Sequence, residues 1–523
     1  MGSPEVIAPK AKRQATELHE HTHAATKESN HSLAGSLAWT AVANWSSQLI
    51  TWAAFLIVSR LLSPADFGVV GMAMILIAHL RIVGQCGIPT TVITLRELPE
   101  EKIAQLNSVG LAMGVACFAL SCLLAYPMAI FFRMPRLAPV VIVTCLVLPG
   151  IGLRAVPMGL LQRDMRFRWL SLVDASVDIG SAAITLLLAM RGFAYWALVL
   201  GNLSGFAART VIYLRARPYR FAWPRLGYIR KELLFGWHSL VSVLAYSSYE
   251  KIDNLTAGRV LGSTALGFYG MAWTLANVPL EKVTSLVTIV VPSYLAAVQK
   301  DLVGLRRYVC ALTELMALAT FPLTVGLGLV GRELVPLVLG RKWQPVVAPL
   351  AVLSIYAAFR SIVALLPKVL TAVGETRFVM WNQLAALVIL PTAFYVGSHW
   401  GITGIAWGWV AAYPLVALPL YWKTLKTVEL KFGDYLRAVR PALDSTLVMA
   451  LAVGFLRWLL PLREPALVRL ILEIMAGMVA YILTALILHR ERTLAFWNLA
   501  KRYKTQGRTV RNQKAQIPVE AKS

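Results

Sequence analysis

Charge is what this sequence most lacks. Only 15% of its 523 residues are Asp, Glu, Lys or Arg, while 58% are hydrophobic, and the mean hydropathy is +0.63. A soluble globular domain carries about 25% charged residues. The deficit falls in blocks: Ser32–Ser59 and Ile103–Phe132 contain no charge at all, and each exceeds the roughly 20 residues needed to cross a bilayer. Phe378–Trp422 has only His399 as a titratable cation, and "GSHWGITG" in its middle reads as a tight turn between two spans. Only helices and closed barrels satisfy the backbone in hydrocarbon, and these uninterrupted apolar runs predict an all-α polytopic membrane protein.

Other absences narrow the function. The five cysteines (Cys86, Cys117, Cys122, Cys145 and Cys310) lie in apolar segments without CxxC spacing, so they read as small hydrophobes in helices rather than disulfides or metal ligands. No P-loop is present, which excludes an intrinsic ATPase of that type. No Ser/His/Asp arrangement, paired carboxylates or sizeable extramembrane domain supports enzymatic work. Nothing calls for a cofactor, and "HEHTH" (His19, His21, His23) reads as part of a polar tail. No cleavable signal layout precedes the first apolar run, which is expected to remain as helix one.

What the chain does contain is a repeat. "VSRLLSPADFGVVGMAMIL" (58–76) returns as "AGRVLGSTALGFYGMAWTL" (257–275) at a constant offset of 199. Arg60, Leu62, Gly68, Gly71, Met72, Ala73 and Leu76 recur as Arg259, Leu261, Gly267, Gly270, Met271, Ala272 and Leu275. Shared helical bias would match apolar letters, but not an arginine and two glycines in register. A looser echo joins "RAVPMGLLQRDMRF" to "ALLPKVLTAVGETRF", which share a proline and a closing Arg-Phe.

Hydropathy and turn punctuation give about fourteen spans. They fall near 36–59, 66–95, 105–132, 136–160, 169–190, 194–214, 232–258, 264–298, 308–330, 345–373, 378–397, 401–422, 440–460 and 467–488. With a cytoplasmic N-terminus, the inside connections hold roughly 33 basic residues and the outside ones roughly 11. That bias places both termini in the cytoplasm and accounts for much of the +25 net charge, with anionic lipid rather than nucleic acid as the partner. Six helices per repeat is an even number, so the two copies enter from the same side and form parallel lobes, with a substrate path between them near the midplane. The predicted organisation is a polar tail (1–35), an N-lobe of helices 1–6 (36–215), a basic linker (216–231) and a C-lobe of helices 7–12 (232–425). Helices 13–14 (426–489) and a basic tail (490–523) follow, the tail suited to an interfacial helix.

A charge at mid-bilayer costs about 2.5–3.5 kcal/mol, so each one needs a partner or a wet cavity. Arg81, Arg154, Lys282, Arg360 and Lys368 are the cations expected to line a cavity that receives an anion, Arg360 and Lys368 sharing a face at eight-residue spacing. Glu250, Asp253 and Glu281 are candidates for ion coupling. The competing reading pairs charges across helices, for example Arg154 with Asp174 or Asp178, and treats Arg133, Arg191 and Arg457 as snorkelling from span ends.

Three segments carry a family likeness: "VSRLLSPADFGVVGMA", "GLLQRDMRFRWLSLVDASVDIGSAAITLLLAMRGFAYWALVLGNL" and "YEKIDNLTAGRVLGSTALGFYGMAWTL". Over about residues 35–425 the chain resembles the bacterial polysaccharide flippases of the multidrug/oligosaccharidyl-lipid/polysaccharide exporter superfamily. The resemblance implies a V-shaped two-lobed bundle in the inner membrane that works by alternating access. Its cargo would be an undecaprenyl-pyrophosphate-linked oligosaccharide, moved to the outer leaflet for O antigen, capsule or exopolysaccharide, with a polysaccharide polymerase and chain-length regulator as partners. Helices 13–14 resemble the extra pair of the lipid II flippase branch, but Asp444 and Glu473 interrupt them. The rival readings are a multidrug/cation antiporter of the same superfamily, expected to use buried acids, and a membrane-embedded polymerase or ligase, expected to show a long outside loop. A non-transporting scaffold for a synthesis complex is a third.

Overall fold

In a computed structural model of the chain, the described residues run from 47 to 490, apart from 96–97, 226, 235–236, 238–239, 241–243, 245–249, 299–301 and 460–464. Side chains of 167 and 285–298 are not described. The HEHTH tract, the start of the first span, much of the span at 232–258 and the basic tail beyond Arg490 lie outside the described residues. Those residues are helical, with no strand among them. Nine helices among them are long and apolar enough to cross a membrane, ten when a bent pair counts as one span. The protein is therefore a multi-pass helical membrane protein. The chain resolves into two compact units, Met1–Ser247 and Ser248–Ser523.

The first unit contains α1 (Ser47–Leu61), α2 (Pro64–Gln85), α3 (Ile88–Thr94), α4 (Glu100–Phe131), α5 (Leu137–Cys145), α6 (Val147–Leu153), α7 (Ala155–Arg163), α8 (Phe167–Met190) and α9 (Tyr195–Ala216). Helix α2 starts where the sequence instructs it to. Ser63 Oγ accepts from the Asp66 amide, Asp66 Oδ2 accepts from the Ser63 amide, and Pro64 occupies the first helical position. Helices α4 and α6 approach so closely that a Cβ on Gly110 would stand 2.8 Å from the Gly152 carbonyl oxygen. Gly110 and Gly114 form a small-xxx-small stripe that permits the approach.

The basic linker is docked rather than loose. Gln105 Oε1 accepts from the Arg225 amide at 3.1 Å, Ser108 Oγ from the Ala222 amide at 3.1 Å, and Lys102 Nζ pairs with Glu232 at 2.7 Å. Ile229 joins the apolar cluster of Ile88, Val92, Leu106 and Val156. The polar side chains at the start of α4 thus serve linker backbone.

The second unit contains α10 (Ile252–Thr256), a π turn at Ala257–Leu261, α11 (Ser263–Val298), α12 (Leu302–Val338), α13 (Val347–Val363) and α14 (Leu366–Ala372). α15 (Thr376–Gly397), α16 (Gly401–Thr427), α17 (Phe432–Leu459) and α18 (Ala466–Leu488) follow. Its repeat copy makes the same turn with different chemistry. Gly262, at φ +87°, stands where Ser63 caps α2, a backbone angle that glycine adopts without strain. Burial then coincides: Met72 and Met271, Ala73 and Ala272, and Ile77 and Ala276 are all buried. The turn read from "GSHWGITG" is a single 3₁₀ turn at Ser398–Trp400, and α15 folds back on α16 with Asn382 Nδ2 donating to the Val416 carbonyl at 2.9 Å. Arg360 and Lys368 do not share one continuous helix. A turn at 364–365 separates α13 from α14, so the eight-residue phasing is broken.

Outward-facing positions remain strongly apolar, as Leu123, Tyr126 and Trp458 illustrate, because the surrounding solvent is hydrocarbon. Arg457 corrects the snorkelling expectation. Its guanidinium binds Glu473 at 2.8 Å and Glu333 at 2.9 Å and donates to the Leu329 carbonyl, while Arg469 reaches Glu333 at 3.3 Å. Glu473 is fully buried, so the acid that interrupts the last helix is an anchor of α17 and α18 onto α12.

Removing one member of such a network leaves a buried charge uncompensated, at a cost of about 3–5 kcal/mol. Arg457→Met is expected to lower the melting temperature sharply in detergent. Adding Glu473→Met is expected to restore much of it, because Glu333 keeps Arg469.

Candidate functional site

In the first unit, charge gathers around the ring of Phe206 on α9. The guanidinium carbons of Arg81, from α2, and Arg154 each lie 5.2 Å from its centroid. Each cation–π contact contributes about 0.5–2 kcal/mol, more as water is excluded. One turn further along α9, Arg209 is held by two carboxylates of α8: Nε donates to Asp174 at 2.7 Å and Nη2 to Asp178 at 2.6 Å. The Tyr213 hydroxyl donates to Asp174 at 2.8 Å. The i, i+4 spacing of the two aspartates and the 206/209/213 spacing on α9 put these groups on facing helix stripes.

The expected pairing of Arg154 with Asp174 or Asp178 is thus corrected, since both carboxylates go to Arg209. Arg154 keeps 7% of its surface exposed, and its buried Nη1 has no hydrogen-bond acceptor among the described residues. Its backbone sits at a break, for α5–α6 and α7 bend by 49° there. The first turn of α7 opens at this point, and Pro157 in it contributes no amide hydrogen. An unsatisfied buried guanidinium beside a helix break, with Arg81 over the same ring, is an arrangement that favours an anion. The charge-assisted bonds of such a ligand would replace lost hydration.

In the second unit the site is mixed. Arg360 on α13 pairs with Glu250, donates from Nη1 to Asn277 Oδ1 at 3.3 Å and lies 5.9 Å from the Trp273 ring. Three residues after Glu250, Asp253 is fully buried. One carboxylate oxygen accepts from the Asn254 amide at 2.6 Å and from Asn254 Nδ2 at 2.8 Å. The other accepts from the Tyr269 hydroxyl at 2.8 Å and Trp409 Nε1 at 3.1 Å. Tyr356 stacks on Trp409 at 4.6 Å, and Trp273 lies 5.4 Å from it.

Of the cations picked from the sequence, the structure joins Arg81 with Arg154, and it ties Arg360 to Glu250. Lys282 is partly exposed on α11, Lys368 is exposed on α14 and Glu281 is exposed. Sequence reasoning missed Phe206, Arg209 and Tyr213. The 3–4 residue spacing of "FAARTVIY" with the i, i+4 aspartates of α8 was the signal available.

Expected outcome: with each variant still folded, Arg154→Ala removes inorganic pyrophosphate binding by the purified protein in nanodiscs, and Arg154→Lys recovers only part of it because the planar fork is lost. Arg209→Ala, which strands two carboxylates beside the site, is expected to weaken binding by roughly tenfold or more, read by calorimetry.

Comparison with known proteins bears on the chain as a whole. A membrane protein of the cps region of Klebsiella pneumoniae, described as uncharacterized, is 26% identical over 399 residues, covering 75% of this chain and 82% of its own. The succinoglycan biosynthesis transport protein ExoT of Rhizobium meliloti (strain 1021) is 24% identical over 476 residues, covering 88% of this chain and 93% of its own. An inward-facing multidrug resistance MATE family transporter of the MOP superfamily shares the fold at a TM-score of 0.59 and 15% identity, over 74% of this chain and 98% of its own. A family model described as polysaccharide biosynthesis protein matches residues 57–348. More than half of the chain, including both copies of the repeat, falls within that match, and the chain belongs to the polysaccharide biosynthesis protein family.

Proposed function

We propose that the protein is a flippase that carries undecaprenyl-pyrophosphate-linked oligosaccharide repeat units from the cytoplasmic to the outer leaflet by alternating access, for surface polysaccharide assembly. The observation that carries this reading is Arg154: a buried guanidinium nitrogen with no acceptor among the described residues, at a helix break, with Arg81 over the same aromatic ring. A pyrophosphate cannot cross hydrocarbon unaided. Guanidinium groups held in a fixed pocket match its oxygens bidentately, while the polyprenyl tail stays in lipid. The name of the Rhizobium relative, a biosynthesis transport protein, supports transport over polymerisation or ligation.

Arg81 and Arg154 are the primary anion contacts in this proposal, with Lys282, Arg360 and Lys368 as further cations of the path. For ion coupling, Glu250 is better suited than Asp253 or Glu281. It is partly accessible and bound to a cation that a ligand could draw away, whereas Asp253 is sealed behind four donors. Both termini are assigned to the cytoplasm from the basic-residue bias. Anionic lipid at the inner leaflet, a polymerase and a chain-length regulator are the proposed partners. A multidrug antiporter shares the fold. The Phe206 cluster, with three arginines to two aspartates, carries the wrong sign for a cationic drug.

The test is lipid extraction from a strain lacking the protein, with the sidedness of the lipid-linked oligosaccharide measured. Complete repeat units trapped on the cytoplasmic face are expected, and return of the normal distribution with the wild-type protein but not with Arg154→Ala. Incomplete units, or complete units already outside, would move the protein to assembly or polymerisation.

A further inference from the structure

The two repeat copies share a scaffold but not a surface chemistry. Offset by 199, Met74 of α2 becomes Trp273 of α11, and Ala78 becomes Asn277. Met74 and Trp273 are buried to a similar degree, but only the second copy sets an aromatic ring there, among Tyr269, Tyr356 and Trp409. The replacements stand beside a pair that the first copy lacks. Arg360 reaches Asn277 and Glu250 and lies against Trp273, and the side chains of Arg360 and Glu250 are 17% and 23% exposed. Arg360 lies on a membrane-spanning helix, and partial exposure of its ion pair is costly against hydrocarbon, which favours a wet surface there.

We infer that Trp273, Asn277, Glu250 and Arg360 form a saccharide-recognition site in the second unit, distinct from the Phe206 site of the first. This rests on the flippase reading above. The chemistry is that of a sugar ring. Its C–H face packs on an aromatic plane, while its hydroxyls, each both donor and acceptor, are met by groups that offer both roles in fixed geometry. Glu250 accepts and Arg360 donates through a planar fork, while buried Asn277, its Oδ1 on Arg360 and its Nδ2 on the Trp273 carbonyl, fixes the fork beside the indole. Net charge also separates the two sites. Arg360 and Glu250 cancel, which suits a neutral sugar, whereas the Phe206 cluster carries one positive charge in excess, which suits a phosphate. The indole packs against Tyr269, Tyr356 and Trp409, so its orientation is set before a ligand arrives and little rotamer entropy is lost on binding.

The experiment uses the full-length protein in nanodiscs and two probes. One is undecaprenyl-pyrophosphate oligosaccharide extracted from cells lacking the protein, and the other is sugarless undecaprenyl pyrophosphate. Trp273→Leu is expected to weaken binding of the first by about five- to tenfold, the loss of one aromatic platform, and to leave the second unchanged. Trp273→Tyr is expected to restore most of the difference. Equal weakening for both probes, or no change for either, would overturn the saccharide site. Should Trp273→Leu lose its melting transition, Arg360→Lys gives the same comparison, since it keeps the charge and removes the fork. Wild-type protein that binds neither probe would instead count against the flippase reading itself.

Discussion

The structure depends on how it accommodates charge in hydrocarbon. An isolated cation at mid-bilayer costs several kilocalories per mole, and two remedies exist: a carboxylate in place, or space for a mobile anion. Arg457 takes the first remedy, gripped by Glu473 and Glu333, and so does Arg209, between Asp174 and Asp178. Arg154 has no carboxylate partner among the described residues, and Phe206 gives it a quadrupole to rest on. Paired arginines fix helices, whereas Arg154, its Nη1 without an acceptor among the described residues, is the one the proposed anion would meet.

That contrast also explains what was legible in the sequence. The absence of charge over twenty or more residues is a local property, so the helical membrane class followed from composition. The repeat was equally plain, and the turn between its flanking helices survives although Ser63 with Asp66 does the work in one copy and Gly262 in the other. Partner choice was not legible. Arg154 and Arg209 are both basic, and nothing in spacing says which of them Asp174 and Asp178 will face. The answer depends on the approach of α8 to α9, where Gly205 sits against Ser181. Arg457 misled for a related reason. Its place near a span end suggests snorkelling, but Glu333 lies 124 residues away in sequence, beyond any local pattern.

Breaks in helices were a second blind spot. Hydropathy reads 136–160 as one span, yet the chain bends by 49° at Arg154. The sequence held the hint, since Pro157 follows three residues later and the second repeat has Pro367 just after its own interruption at 364–365. The two breaks share their place relative to the proline but not their charge, for Ala364 stands where the first copy has Arg154. An interruption before the proline is thus common to both copies, while the 49° bend lies at Arg154 and the guanidinium belongs to one copy.

Asp253 shows how far burial and function can part. Four donors converge on its two oxygens, and none of them is a cation. This arrangement satisfies an ionised carboxylate. A proton placed on it would set an O–H against N–H donors that cannot turn into acceptors, and only the Tyr269 hydroxyl could reverse its role. With the Tyr269 hydroxyl turned to accept, all four contacts can persist, so the packing built on Trp409 does not itself fix the protonation state. Burial, rather than its hydrogen bonds, counts against Asp253 as a coupling candidate, for it is closed off from water. Glu250, three residues earlier, has the opposite character: it is part-exposed and its partner Arg360 also binds Asn277 and leans on Trp273. The same short segment thus holds one carboxylate closed off among four donors and another, part-exposed, on the cation of the proposed saccharide site.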